Sequence, residues 1–192
     1  MRATLRIGLF GIAAVVLATA IVVGAAAQEP PNHANRLEAT FAETRVAVLD
    51  RTADLGVRVA ISSGTGTLEG FGAATEIAAI SRDVTSTPCG PGSSATTVLR
   101  RIVVAAGTLV VKTLGHQCLA PGGQLNTGEL QVDGASSTGV FAGAWGRGTE
   151  TTHVGPPPSG AITATYSGVL HLVQNDKEAD SGGGSSDDGS GD

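Results

Sequence analysis

Strict alternation of apolar and polar positions dominates the second half of the chain. Ile162, Ala164, Tyr166, Gly168, Leu170 and Leu172 alternate with Thr163, Thr165, Ser167, Val169 and His171. That period of two is the mark of a half-buried strand. Gly128, Leu130 and Val132 likewise oppose Thr127, Glu129, Gln131 and Asp133, and Val57, Val59 and Ile61 oppose Arg58, Ala60 and Ser62. The run from Ala73 to Val84 carries bulky residues on both parities, so it is covered from outside or twists between layers. Thr96 to Val104 and Thr108 to Leu114 form two β-branched arms around Ala105-Ala106-Gly107, a hairpin turn. Phe141 to His153 adds another strand, followed by a proline-rich loop from Gly155 to Gly160.

Seven or eight strands at hairpin spacing leave almost no room for helices. The pattern predicts an all-β fold, an antiparallel barrel of about eight strands over residues 45–173, with a β-sandwich as the alternative. Residues 28–44 read as a linker or short helix. Asn35 and Glu38 fit a capping box, and Leu37, Phe41 and Val48 share a helical face that Arg45 interrupts; Arg45 to Leu49 equally suits a strand.

The two ends differ from the body. Arg2 and Arg6 precede an uncharged apolar run from Ile7 to Val23, and Ala25-Ala26-Ala27 precedes polar Gln28. Residues 1–27 thus read as a signal peptide, and the mature protein as secreted or held in the cell envelope; an uncleaved membrane anchor is the alternative. Residues 174–192 are rich in Gly, Ser and Asp and predict a disordered acidic tail.

Charge narrows the function classes. The whole chain carries −5. Without residues 1–27, 10 basic and 17 acidic residues give −7, of which 176–192 carry −5. No clustered positive charge marks a nucleic-acid or anionic-membrane surface. Only 3% of residues are aromatic, which disfavours stacking platforms for bases or sugars. Cys89 and Cys118 are the only cysteines and bracket the hairpin near its open end, so they predict a disulfide. A loop of about 30 residues closed this way contributes roughly 3–4 kcal/mol on the chain-entropy estimate. A metal pair or reactive thiol competes, but CxxC spacing is absent and only His116 lies close.

The stretch Thr138-Gly139-Val140-Phe141-Ala142-Gly143-Ala144-Trp145-Gly146 contains Thr-Gly, one residue, Phe, two residues, Ala, one residue, Gly. It resembles the strand signature of dirigent proteins and the related allene oxide cyclase-like barrels. Gly64-Thr-Gly66, Gly70-Phe-Gly72 and Tyr166-Ser-Gly-Val-Leu170 are similar in flavour. The resemblance implies an eight-stranded antiparallel barrel, often a homo-oligomer, with a cavity that in some members holds an apolar small molecule. The acidic and arginine residues through which plant dirigents act have no matching positions, so none is carried over. Independently of the resemblance, Ala142, Ala144, Gly146 and Gly148 share one parity. Such a bare face lets backbones approach closely, or leaves volume for a ligand.

Candidate chemistry is sparse. Gly64-Thr-Gly66-Thr-Leu-Glu69 lacks the third glycine of a dinucleotide loop, and the chain downstream reads as extended. No GxSxG elbow occurs, and His33, His116, His153 and His171 show no metal-ligand spacing. Two carboxylates stand out. Glu76 shares its parity with Ala74, Ala78 and Ile80, and Glu150 follows Gly146 and Gly148. A carboxylate on an apolar face must be paired or hydrated. Glu76 and Glu150, with Trp145 and Tyr166, are therefore the candidate ligand-binding residues of a barrel cavity; the alternative has the carboxylates at strand ends, or paired with Arg82 or Arg147. No catalytic set, metal site or cofactor is identified. The function that follows is a non-catalytic exported module with a structural or interaction role. The alternatives are a carrier of an apolar small molecule and a dirigent- or cyclase-like activity on a lipophilic intermediate.

Overall fold

A computed structural model describes residues 36–156 and 160–173. The signal or anchor expected over residues 1–27 and the tail expected over 174–192 lie outside the described residues. Nine strands form in chain order: β1 Leu37–Arg51, β2 Val57–Leu68, β3 Gly72–Asp83, β4 Ser94–Val104, β5 Gly107–Ala120, β6 Gly123–Val132, β7 Thr138–Gly139, β8 Trp145–Val154 and β9 Ile162–His171. Among the described residues, the single helical turn, α1, spans Thr52–Leu55 between β1 and β2. Among the described residues, no helix is long and apolar enough to cross a membrane.

All pairings are antiparallel, and each of β1 to β5 pairs with the next. The circuit then runs β6–β8–β9 and closes where β9 meets β1. The result is a closed eight-stranded barrel, which leaves no long edge for another chain to pair with. The short β7 stands outside the circuit. β6 pairs with β5 from Val111 to Ala120, and β7 takes up Gly107 and Thr108 on the side β6 leaves.

Alternation decides what faces inward. β4 shows it most cleanly: Ser94, Thr96, Val98, Arg100, Ile102 and Val104 are buried, and the residues between them are not. Leu37, Phe41, Leu68, Ile102, Leu109, Leu130 and Leu170 fill one end of the barrel as its main apolar core. A smaller cluster of Ala60, Ala78, Ile80 and Val98 lies toward the other end. Between them runs a layer of buried polar side chains.

Two expectations need correction. The barrel starts at Leu37, not at residue 45, because Leu37, Ala39, Phe41 and Glu43 alternate inward as a strand where a linker or helix was expected. The apolar strand from Phe141 instead begins as a turn: Phe141 to Gly143 fold over the barrel end, and the strand starts at Trp145. Phe141 is thereby buried against Phe71, ring centroids 4.7 Å apart, and plugs that end. The glycine-rich face also has a definite cause. Gly148 lies directly opposite Gly168, and a Cβ on Gly148 would sit 2.3 Å from the Ser167 carbonyl oxygen. That space is occupied by neighbouring backbone, so these glycines serve close strand approach.

Candidate functional site

Register places two carboxylates at one level on either side of a glycine. Glu43 on β1 lies opposite Gly64 on β2, and Gly64 lies opposite Glu76 on β3. A Cβ at Gly64 would come within 3.0 Å of the Glu43 side chain and 3.2 Å of Glu76 Oε1. Glycine is what makes room for both acids. Across the barrel, Glu150 on β8 pairs directly with Tyr166 on β9.

Arg100, projecting inward from β4, ties these groups together. Its Nη1 donates to Glu43 Oε1 at 2.6 Å and to Glu76 Oε2 at 3.4 Å. Its Nη2 donates to Glu150 Oε1 at 2.7 Å and to Thr152 Oγ1 at 3.1 Å. The Tyr166 hydroxyl donates to Glu76 Oε2 at 2.8 Å, and the guanidinium lies 5.3 Å from the centre of the Tyr166 ring. Thr152 donates to Glu150, and Ser62 donates to Glu43. Arg100 and its three carboxylate partners have no solvent-exposed side-chain surface.

Three carboxyls against one guanidinium would leave an uncompensated buried charge of −2 if all ionised. The imbalance falls on Glu76. Burial pushes its carboxyl up to about 8; the Glu43 charge adds to the shift and Arg100 opposes it. Glu150 is also pushed up by burial, but the charge and hydrogen bond of Arg100 prevail and hold it below its ordinary value. Burial works against the charge on Arg100, yet Glu150 and Glu43 keep it firmly protonated. Burial raises the Tyr166 hydroxyl well above its usual range, so it remains a donor.

Of the four residues singled out in the sequence, Glu76, Glu150 and Tyr166 meet in this cluster. Their partner is neither Arg82 nor Arg147 but Arg100. Trp145 does not join them: it is 61% exposed on the outer face, stacked on His171 with ring centroids 3.7 Å apart. The sequence reading missed Glu43 and Arg100. Arg100 shared the inward parity of Val98, Ile102 and Val104, and that was the available signal. Glu43 fell within the segment taken for linker or helix.

The interior space beside Arg100 amounts to about 20 Å³, room for about one water. A larger groove of about 740 Å³ lies along the outside of β5, β6, β8 and β9, where Leu114, Glu129, Trp145, Arg147, Val169 and His171 line it. Cys89 and Cys118 form the expected disulfide, with Cα atoms 5.8 Å apart, and tie the β3–β4 connection to the end of β5. His116 lies beside the two sulfurs. With those sulfurs bonded to each other, His116 is the one ligand that this group can offer a metal. No protein-family model matches the chain, and no curated protein matches it.

Proposed function

We propose that the chain is an exported, non-catalytic β-barrel module that acts through its surface, its interior ion cluster being a structural element. The observation that carries this reading is the filled interior. A drug-sized ligand needs roughly 300–1,000 Å³ of pocket, and the space beside Arg100 is about 20 Å³. Carriage of an apolar molecule would require Phe41, Leu37 and Phe141 to vacate the core they form. A dirigent- or cyclase-like activity draws support from Glu76, a carboxyl that holds its proton near neutral pH beside Tyr166. The same substrate would again have to displace that core.

Titration with a neutral lipophilic dye, N-phenyl-1-naphthylamine, tests the reading. Native protein should give no saturable fluorescence rise. Stoichiometric uptake that Ala39→Trp abolishes would overturn the reading in favour of an internal binding chamber.

A further inference from the structure

Inward parity brings three arginines to the barrel end beyond the Arg100 layer. Arg45, exposed at the rim, shares the parity of Glu43 on β1, half-buried Arg58 that of Ala60 on β2, and half-buried Arg82 that of Ile80 on β3. Arg58 and Arg82 lie directly opposite each other in register. Like charges in that relation repel and destabilise a sheet. Asp50 reaches Arg58 at 3.6 Å. Among the described residues, no carboxylate lies within ion-pair distance of Arg45 or Arg82. The acids one layer deeper are held by Arg100.

The rest of this barrel end supplies neutral polar groups. Gln117 on β5 and Asn126 on β6 are buried, and Thr152 faces them from β8. Arg45, Arg82, Arg100, Gln117, Asn126 and Thr152 line the small interior space. Three buried polar atoms of these lining residues lack a partner, Arg82 Nε, Arg100 Nε and Gln117 Oε1. The Gln117 amide nitrogen donates to Gln124 Oε1, so turning it toward the space takes an exchange of oxygen and nitrogen in both amides. Burial, and then the charges of Arg45 and Arg58, lower the Arg82 guanidinium to about 10.

We infer that this arginine-lined mouth is a binding site for an oxyanion, a phosphate or carboxylate group whose oxygens enter between Arg45, Arg82 and Gln117. The space admits one or two oxygen atoms, so the remainder of the ligand stays outside the barrel. Arginine suits this task because its planar fork donates to two oxygens at once. The anion would supply the acceptor that Arg82 Nε lacks and offset the repulsion among the three cations.

Thermal unfolding of the full chain in inorganic phosphate, with chloride at matched ionic strength as reference, tests the inference. Millimolar affinity should raise Tm by about 4 °C in about 50 mM phosphate relative to chloride. Acetate in place of phosphate separates the two oxyanion classes, and a shift in either supports the site. Arg82→Gln should remove most of that increment, with binding by calorimetry at least about tenfold weaker, equivalent to one lost charge-assisted contact. Arg147→Gln, an equal change in net charge on the outer face, should leave the increment intact. Equal Tm in all three salts, or an increment that Arg82→Gln retains, overturns the proposal. If Arg82→Gln fails to fold, the side-chain amide signals of Gln117 and Asn126 in the native protein decide: they should shift saturably with phosphate, and unmoved signals overturn the site.

Discussion

The barrel interior holds two charged layers that differ in sign and in how each relieves its excess. In the deep layer one arginine faces three carboxyls. At the mouth, Arg45, Arg58 and Arg82 face one rim acid, Asp50. A carboxyl can shed its charge within the neutral range, and burial drives Glu76 to do so. A guanidinium cannot, since even a lowered Arg82 titrates near 10. The deep layer therefore closes, a proton on Glu76 cutting its excess negative charge by one. The mouth stays open to solvent and to anions. Depth decides the outcome: the imbalance that water screens at the rim must be reduced by protonation at the centre.

Exchanging the key arginine of each layer should separate them most sharply. Arg100→Met strands Glu43 and Glu150 without their cation. Losing one partner of a buried pair costs about 3–5 kcal/mol, so urea denaturation at neutral pH should show a loss of that order. The loss should shrink in mild acid, where the carboxyls can take up protons. A change under about 1 kcal/mol would mean that the cluster is hydrated and the two layers are alike.

Glu76→Gln sharpens the contrast through pH. Unfolded, Glu76 loses its proton near 4.5; folded, near 8. Between those values the native state holds a proton that the unfolded state has released. Stability should therefore fall as pH rises through that window, and the full penalty is present above about 8. Glu150 runs the other way: its contribution is present above the ordinary carboxyl value and fades as pH falls through its depressed one. Glu76→Gln should flatten the slope between about pH 4.5 and 8 and stabilise the protein by about 3–5 kcal/mol near pH 9, read by denaturation at a series of pH values. An unchanged slope would remove Glu76 as the proton carrier.

The smallest effect belongs to Arg82→Gln. It deletes a repelled cation with an unpartnered nitrogen, so in chloride its stability should lie within about 1 kcal/mol of the parent or slightly above it. A loss as large as that of Arg100→Met would place an acid partner at the mouth and erase the distinction.

How far the sequence anticipated these layers follows from parity. The rows Ile162 to Leu170 and Leu130 to Val132 put their apolar side chains inward as alternation predicts, and the hairpin about Ala105 to Gly107 forms as expected. Glu76, Glu150 and Tyr166 were legible because each shares parity with small or apolar neighbours. Trp145, one residue from Gly146, has the opposite parity, and the structure puts it outside. Gly64 and Gly66 lie within β2, which runs through both. A Cβ on Gly66 would lie 1.9 Å from the Thr40 carbonyl oxygen, so glycine there records the nearness of β1. In β1, Arg45 broke a helical stripe and hid an inward row that includes Glu43. Arg100 shares the inward parity of Val98 and Ile102 on β4, the one signal that marks it.

The central claim, that a buried proton on Glu76 relieves the deep layer's excess negative charge, can be observed directly. Difference infrared spectroscopy on the native protein distinguishes the carbonyl stretch of a protonated carboxylic acid from that of a carboxylate. The parent protein should show a protonated-acid band at about pH 6, well above the ordinary glutamate range. That band should disappear as pH passes about 8 and be missing from Glu76→Gln. A spectrum without the band at about pH 6, or a band that Glu76→Gln retains in full, would contradict the account.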